Sequence, residues 1–182
     1  TEKRNEILAN CSSEEERSKT AELIRPILRG RDIKRYGYDW ANLWLINTHN
    51  GIKGVKPRID INDYPAVKAH LDQYWDKISK RADKGDTPYN LRNCAYLDDF
   101  FKPKIVYPNM TKYLPFVYDD KKHLTNQKCF IITGENVAFL TVFFNSSLFN
   151  SSSFHSSNAL SISSALISIS AYFAIKVRSV GF

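Results

Sequence analysis

The chain lacks the short motifs that mark the common catalytic sites. Its 182 residues contain no glycine-rich phosphate loop, no His-Glu-x-x-His zinc motif and no Gly-x-Ser-x-Gly nucleophile motif. The Asn/Asp-Pro-Pro-Tyr/Phe run of amino-methyltransferases is also missing. The four histidines are not spaced as metal ligands. These absences predict that the chain carries no catalytic residue, no cofactor and no metal ion of its own.

Cysteine is scarce, and its positions exclude two further classes of site. Cys11, Cys94 and Cys129 are far apart and show no Cys-x-x-Cys spacing, so neither a disulfide framework nor a cysteine zinc site is expected. The N-terminal stretch is polar and charged, unlike a secretory signal. Because residue 1 is Thr1 and not methionine, the numbering indicates a fragment or a trimmed chain. We expect reduced thiols and a cytoplasmic location.

Acidic residues are outnumbered by basic ones. The chain has 26 Lys and Arg against 19 Asp and Glu, a net charge of +7. This surplus favours a polyanionic partner, with nucleic acid first and an anionic membrane second. Hydrophobic residues make up 43% and aromatic residues 13%, enough for the core of one globular domain with or without an appendage.

The hydrophobic pattern predicts an α+β fold, with a small, twisted and mainly antiparallel sheet packed by helices. Its main helix is expected at about 65–82, where Pro65 suits the first turn, Asp63 can cap it and apolar residues recur at helical spacing. The other predicted elements are a helix starting at Ser12 or Ser13 and ending before Pro26, strands at 104–107, 114–118 and 129–133, and a final helix at 136–144.

Two segments interleave basic and aromatic residues, at 25–38 and 102–128, and a polar loop at 87–93 carries an arginine between asparagines. Lys and Arg neutralise phosphates, whereas Asn, Gln and Arg can pair with base edges. The candidates for phosphate contact are basic: Arg25, Arg29, Arg31, Lys34, Arg35, Lys102, Lys104 and Lys112. The candidates for base contact are Asn90, Arg92, Asn109, Lys112, Tyr113, Asn126, Gln127 and Lys128. The alternatives are a solvated surface for the segments and, for the loop, a connection whose amides cap the backbone.

A weaker alternative is a metal-dependent nuclease. Asp98 and Asp99 precede Lys102 and Lys104, and such nucleases need carboxylates and a lysine that converge on one phosphate. Adjacent side chains point apart on an extended chain, so a solvated turn before a strand is the favoured interpretation.

The first basic segment, LIRPILRGRDIKRY at 23–36, resembles the opening motif of the TaqI-like C-terminal specificity domain of type IIG and related restriction–modification enzymes. The resemblance continues through WLINTHNG, YPAVKAHL, YNLRNCAY, KPKIVY and FFNSSLF, in this order, over about 20–149. It implies that the chain recognises double-stranded DNA, with the recognition residues at about 104–133.

For the parent enzyme, the resemblance implies a nuclease module, an adenine-specific methyltransferase module, S-adenosylmethionine and Mg²⁺. These modules would be partners in cis or in trans. The resemblance implies nothing catalytic for this chain, and we expect no contact with a membrane.

The composition changes after residue 145. Residues 149–182 contain no acidic residue, and only Lys176 and Arg178 are basic among many serines. The chain is therefore interpreted as a helical lead-in at 1–22, a specificity domain at 23–149 and a serine-rich tail at 150–182. An out-of-frame reading would produce such a tail, and the alternative function is then a truncated, inactive remnant. We expect the tail to be disordered or to form a loosely attached helix at 159–174, and to contribute little to a packed core.

Overall fold

The computed structural model describes residues 1–111, 114–147 and 174–179. By their contacts these residues form two units. Unit 1 comprises Thr1–Pro26 and Asn42–Leu97, and unit 2 comprises Ile27–Ala41 and the described residues from Asp98 onward. Within the described part, no helix is long and apolar enough to cross a membrane.

Runs of helices and runs of mainly antiparallel strands follow one another along the chain, which confirms the α+β class. In chain order the elements are α1 (Glu2–Ala9), α2 (Glu14–Leu23), β1 (Ile24–Leu28), β2 (Ile33–Lys34), β3 (Gly37–Tyr38), β4 (Trp44–Ile46), α3 (Pro65–Asp72), α4 (Trp75–Ile78), β5 (Lys104–Pro108), β6 (Val117–Asp119), β7 (Leu124–Thr125), β8 (Cys129–Thr133), α5 (Val137–Asn145) and β9 (Lys176–Ser179). Short 3₁₀ turns cover Gly30–Asp32, Ile61–Asp63 and Leu97–Phe101.

Unit 1 packs its helices around the first half of β1. The start of α2 is capped as its sequence indicates, because Ser13 Oγ accepts from the Glu16 N–H at 3.1 Å and Glu16 Oε2 accepts from the Ser12 N–H at 2.8 Å. Strand β1 pairs antiparallel with β4. The core that results includes Ile7 of α1 and Val67 of α3.

The long helix expected at 65–82 is interrupted, so that prediction is wrong beyond its first two turns. The chain turns at Gln73 and Tyr74, where Tyr74 has φ −113° and ψ 19° and donates its N–H to the Leu71 carbonyl, three residues back. Burial explains the break. Val67 is fully buried, but Tyr74 and Trp75 are 41% and 44% exposed, so the core holds α3 and leaves α4 at the surface.

Asp63 does not cap α3. The residue at the N-cap is Tyr64, without a side-chain cap. The N–H of Ala66 in the first turn instead binds Glu16 Oε1 of α2 at 3.0 Å, so the acceptor comes from a distant part of the sequence.

Unit 2 is built on an antiparallel sheet with the strand order β6-β5-β8-β9. Strand β5 is buried along its whole length and pairs with β8 over five residues, from Lys104 opposite Thr133 to Pro108 opposite Cys129. Helix α5 covers one face and buries Leu140 against the sheet. Strands β2 and β3 form a hairpin, and the end of β1 pairs parallel with β7. The strand expected at 129–133 is confirmed, whereas the strand expected at 114–118 lies at Val117–Asp119.

The last described strand lies in the region expected to contribute little to a packed core. Strand β9 pairs with β8 along its four residues, and Ile175 just before it is 5% exposed within the core of unit 2. The expectation is therefore wrong for residues 174–179. The helix expected at 159–174 falls, except for its final residue, outside the described residues.

Candidate nucleic-acid interface

Both basic segments contribute to one cleft in unit 2, with a volume of about 470 Å³. Its walls come from the turn after β1, from β2, from the loop after β5 and from the turn before β8. The lining residues are Gly30, Arg31, Ile33, Lys34, Pro108, Asn109, Met110, Thr111 and Lys128. Three of these are cations and none is a carboxylate, so the cleft favours an anionic ligand. We name it the unit 2 cleft.

The turn that carries Arg31 is held by a buried carboxylate. Asp32, 4% exposed, accepts from Arg29 Nε at 3.0 Å, from Arg29 Nη2 at 2.7 Å and from the Arg29 N–H at 2.9 Å. Burial by itself raises the pKa of the Asp32 carboxyl, but these hydrogen bonds and the charges of Arg29 and Arg31 hold that pKa below its usual value. Arg29 therefore positions the turn, and Arg31 is exposed at its surface.

The turn that carries Lys128 depends on Asn126. The Asn126 side chain accepts from the Lys128 N–H at 3.2 Å, and the Lys128 carbonyl accepts from the Asn109 N–H at 2.9 Å. Asn126 is thus engaged in holding the turn, which leaves the exposed Gln127 and Lys128 as the groups that face solvent. Asn109 is half-buried at the wall of the unit 2 cleft.

Gly30 permits the close approach of the two turns. A Cβ atom at this position would lie 2.7 Å from the Lys128 carbonyl oxygen and 3.4 Å from Pro108 Cβ. Because the nearest of these atoms belongs to the backbone, a side chain at Gly30 would push the walls of the unit 2 cleft apart.

The hairpin of β2 and β3 presents another basic and aromatic pair. Arg35 and Tyr36 connect the two strands, both are exposed, and Tyr36 is 56% exposed. Tyr36 adopts a left-handed backbone with φ 63°, and its N–H donates to the Phe116 carbonyl at 3.2 Å. The hairpin tip is therefore fixed while its side chains face solvent. Lys34 of the same hairpin lies 3.7 Å from Asp39, a contact between two exposed groups that solvent screens.

Lys104 is buried, so the prediction that it contacts phosphate is wrong. It is 0% exposed, and its ammonium donates to Asp119 Oδ2 at 2.5 Å and to the Phe100 carbonyl at 2.7 Å. His123 Nδ1 lies 2.7 Å from Asp119 Oδ1, and Tyr38 packs edge-on against the His123 ring. Burial raises the pKa of Asp119, but the hydrogen bond with His123 and the charge of Lys104 bring it below its usual value. The network holds β5 to β6 and to the chain that follows.

Asn90 is also buried, and the prediction that it contacts a base is wrong. It is 2% exposed, donates Nδ2 to the Ile59 carbonyl at 2.9 Å and accepts from Thr87 Oγ1 at 2.5 Å. For Asn90 the alternative interpretation of the loop at 87–93 therefore applies, because its side-chain amide caps backbone carbonyl groups. Arg92 is exposed.

The remaining candidates are spread over the chain. Arg25 is half-buried on β1 in unit 1, and Lys102 is exposed beside Asp99, 2.7 Å away. Lys112 and Tyr113 lie outside the described residues. Met110 and Thr111 line the unit 2 cleft but were not singled out in the sequence, because neither carries charge. Only their position between two predicted contact residues, Asn109 and Lys112, could have indicated from the sequence that they line the site.

The carboxylate and lysine pattern of a nuclease does not converge. Asp98 is exposed, whereas Asp99 is 6% exposed. The Asp99 carboxylate forms ion pairs with Lys102 at 2.7 Å and with Arg178 of β9 at 3.5 Å. Lys104 is directed to Asp119. Across the part of the chain that the structure describes, no group of three His, Cys, Asp or Glu residues could hold a metal ion, and Cys11, Cys94 and Cys129 form no disulfide bond.

Comparison with known proteins identifies a family. Residues 25–165 match the family model described as the TaqI-like C-terminal specificity domain. This range covers more than three quarters of the chain, includes every residue of the unit 2 cleft and continues past residue 149, where the sequence resemblance was expected to end. No curated protein matches the chain.

Proposed function

The chain belongs to the family of TaqI-like C-terminal specificity domains, which recognise DNA sequence in restriction–modification enzymes, and we propose that it contacts double-stranded DNA through the unit 2 cleft. The observation that carries this proposal is the convergence of the two basic segments. Arg31 and Lys34 come from one segment, and Asn109 and Lys128 come from the other. Segments far apart in sequence thus supply cations and an amide to one concave surface.

The side chains of the unit 2 cleft suit two kinds of contact. Arg31, Lys34 and Lys128 can neutralise phosphates, which fixes position on the duplex without reading sequence. The amides of Asn109 at the cleft wall and of Gln127, the exposed residue next to Lys128 in sequence, can donate and accept at once, the pattern that an adenine edge presents in the major groove. We assign phosphate contact to the three cations and base contact to the two amides.

The finer identity of the parent enzyme is part of the proposal. We propose an adenine-specific methyltransferase of type IIG or a related kind, with or without a fused endonuclease, that works in the cytoplasm. Its other modules would hold S-adenosylmethionine and Mg²⁺, and no residue of this chain is assigned to either. The alternative, an inactive remnant truncated near residue 149, has less support because β9 and Ile175 complete the sheet and core of unit 2.

The test is duplex binding as a function of salt. Fluorescence anisotropy with labelled duplexes should give a Kd that rises steeply from 50 to 200 mM salt, because phosphate contacts release counterions. The variant R31A/K34A/K128A should bind every duplex more weakly. Its slope of log K against log salt should be shallower by about 2.7, since each lost phosphate contact contributes about 0.9.

A variant with the same loss of charge provides the control. Arg17, Lys77 and Lys80 are exposed cations of unit 1 that line none of the clefts described. R17A/K77A/K80A should keep the wild-type slope. Equal slopes for the wild type and R31A/K34A/K128A would contradict the assignment of the cleft, and absence of any duplex binding by the folded wild type would contradict the function.

A further inference from the structure

A second cationic cleft lies in unit 1, on the loop between β4 and α3. Its volume is about 620 Å³. The lining residues are Asn50, Ile52, Lys53, Gly54, Val55, Lys56, Pro57, Arg58, Asp86 and Asn93. None of these belongs to the two basic segments, and none has a role in the unit 2 cleft. We name this surface the unit 1 loop cleft.

One amide pins the loop at its base. Asn50 donates Nδ2 to Asp86 Oδ1 at 2.9 Å and to Asn93 Oδ1 at 2.6 Å, and its Oδ1 accepts from the Asp86 N–H at 2.9 Å. The Ile59 N–H at the far end of the loop donates to the His49 carbonyl at 3.0 Å. Both ends of the loop are therefore fixed to the same part of unit 1.

The tip of the loop is also tightly built. Ile52 and Lys56 exchange backbone hydrogen bonds at 2.8 and 2.9 Å. Gly51 has φ 75°, and a Cβ atom there would lie 2.4 Å from the Lys56 carbonyl oxygen, so this position requires glycine. The cations on the loop are thus held on an ordered backbone, which lowers the entropy cost of presenting them to a ligand.

The charge of the unit 1 loop cleft is positive. Lys53 and Arg58 are exposed, and Lys56 is half-buried at the wall. The one carboxylate among the lining residues is Asp86, which accepts from Asn50 and lies 3.7 Å from Arg58 with both side chains about half exposed. Three cations against one engaged carboxylate leave a net attraction for anions.

We propose that Lys53, Lys56 and Arg58 bind phosphates of the DNA backbone, so that unit 1 has its own DNA contact, separate from the unit 2 cleft. This inference rests on the proposed function for the identity of the polyanion. All three cations line the same cleft of about 620 Å³, and Lys53 and Arg58 are exposed at its surface. Several exposed cations on one concave surface suit the repeated phosphates of a polymer.

The experiment compares three variants of the full chain in the anisotropy assay. K53A/K56A/R58A removes the loop cations and leaves Asn50 and both loop glycines in place. Between 50 and 200 mM salt the wild type should lose about 40-fold more affinity than this variant, because the slopes should differ by about 2.7. R17A/K77A/K80A, with the same charge loss elsewhere on unit 1, should behave like the wild type. R31A/K34A/K128A reports on the unit 2 cleft alone.

Each outcome separates the inference from the proposed function. If K53A/K56A/R58A keeps the wild-type affinity and slope while R31A/K34A/K128A does not, the unit 1 site is wrong and the function stands. If the charge control weakens binding as much as the loop variant, net charge and not this site is responsible, and the inference is again wrong. If folded wild type does not bind, the function itself fails.

Two further measurements test whether the variant is folded and whether the cleft binds a small anion. Circular dichroism and melting should match the wild type, and K53Q/K56Q/R58Q replaces the alanine variant if they do not. Inorganic phosphate at about 10 mM, which would largely fill a small-anion pocket with a millimolar Kd, should compete only weakly with DNA at constant ionic strength. Complete competition by phosphate would mean a small-anion pocket and would overturn the assignment to the DNA backbone.

Discussion

Replacement of Asp119 by alanine should destabilise unit 2 strongly. The change removes the carboxylate that pairs with Lys104, and both side chains are 0% exposed. Lys104 would keep its hydrogen bond to the Phe100 carbonyl at 2.7 Å but would lose its counterion, and His123 Nδ1 would lose the carboxylate that lies 2.7 Å away. Removing one member of a buried ion pair costs about 3–5 kcal/mol, because the remaining charge stays in a low dielectric.

The measurement is urea and thermal unfolding of the wild type and Asp119→Ala at pH 7. A loss of 3–5 kcal/mol lowers the Tm of a chain of this size by about 6–20 °C. The matched control is Asp120→Ala, the exposed neighbour, for which a change within about 0.5 kcal/mol is expected. Adding Lys104→Met to Asp119→Ala should recover part of the loss, since no unpaired charge then remains buried.

The same contact predicts a pH dependence. The folded pKa of Asp119 lies below its usual value, although burial opposes this, because His123 and Lys104 favour the ionised form. The stability that Asp119 supplies is therefore complete above the pKa of an unfolded aspartate, about 4, and is lost as the pH falls through the folded value.

A difference in unfolding free energy below about 1 kcal/mol between the wild type and Asp119→Ala at pH 7 would refute the reasoning. Equal losses for Asp119→Ala and Asp120→Ala would refute it as well.

Two other substitutions test the packing on which the proposals depend. Gly30→Ala should cost about 1–3 kcal/mol and weaken DNA binding, since its Cβ would lie 2.7 Å from the Lys128 carbonyl oxygen; unchanged melting and Kd would contradict the close approach of the two turns. Ile175→Ala should cost about 2–5 kcal/mol, because this side chain is 5% exposed in the core of unit 2; an unchanged urea midpoint would mean that the residue is not part of that core.

Elements that are fixed by interactions within a few residues were predicted correctly from the sequence. The start of α2 follows from Ser13 and the three glutamates after it, which satisfy and complement the first turn. Strand β8 consists of Cys129–Thr133, a short apolar and β-branched run bounded by turn residues. In both places the interactions that fix the element lie within a few residues, so the pattern was sufficient.

Elements fixed by distant contacts were not predicted well. The apolar spacing past Leu71 continues at helical period, yet the helix breaks because no core covers Tyr74 and Trp75. Strand β9, KVRS, is too polar to stand out and exists through its pairing with β8. Burial of Ile175 depends on the same pairing. Periodicity reports what a segment can bury, and only the fold determines whether there is a surface to bury it against.

The ion pairs of the basic residues also could be predicted only where the two partners are close in sequence. Arg29 and Asp32 are three residues apart, so their pairing was within reach of the sequence. Lys104 and Asp119 are separated by fifteen residues, yet they lie directly opposite each other on β5 and β6. The predicted strand at 114–118 stopped one residue short of Asp119, and without that residue the cross-strand partner of Lys104 was invisible. A lysine in a basic segment is therefore a candidate for DNA contact only after the register of its strand has shown that no carboxylate stands opposite it.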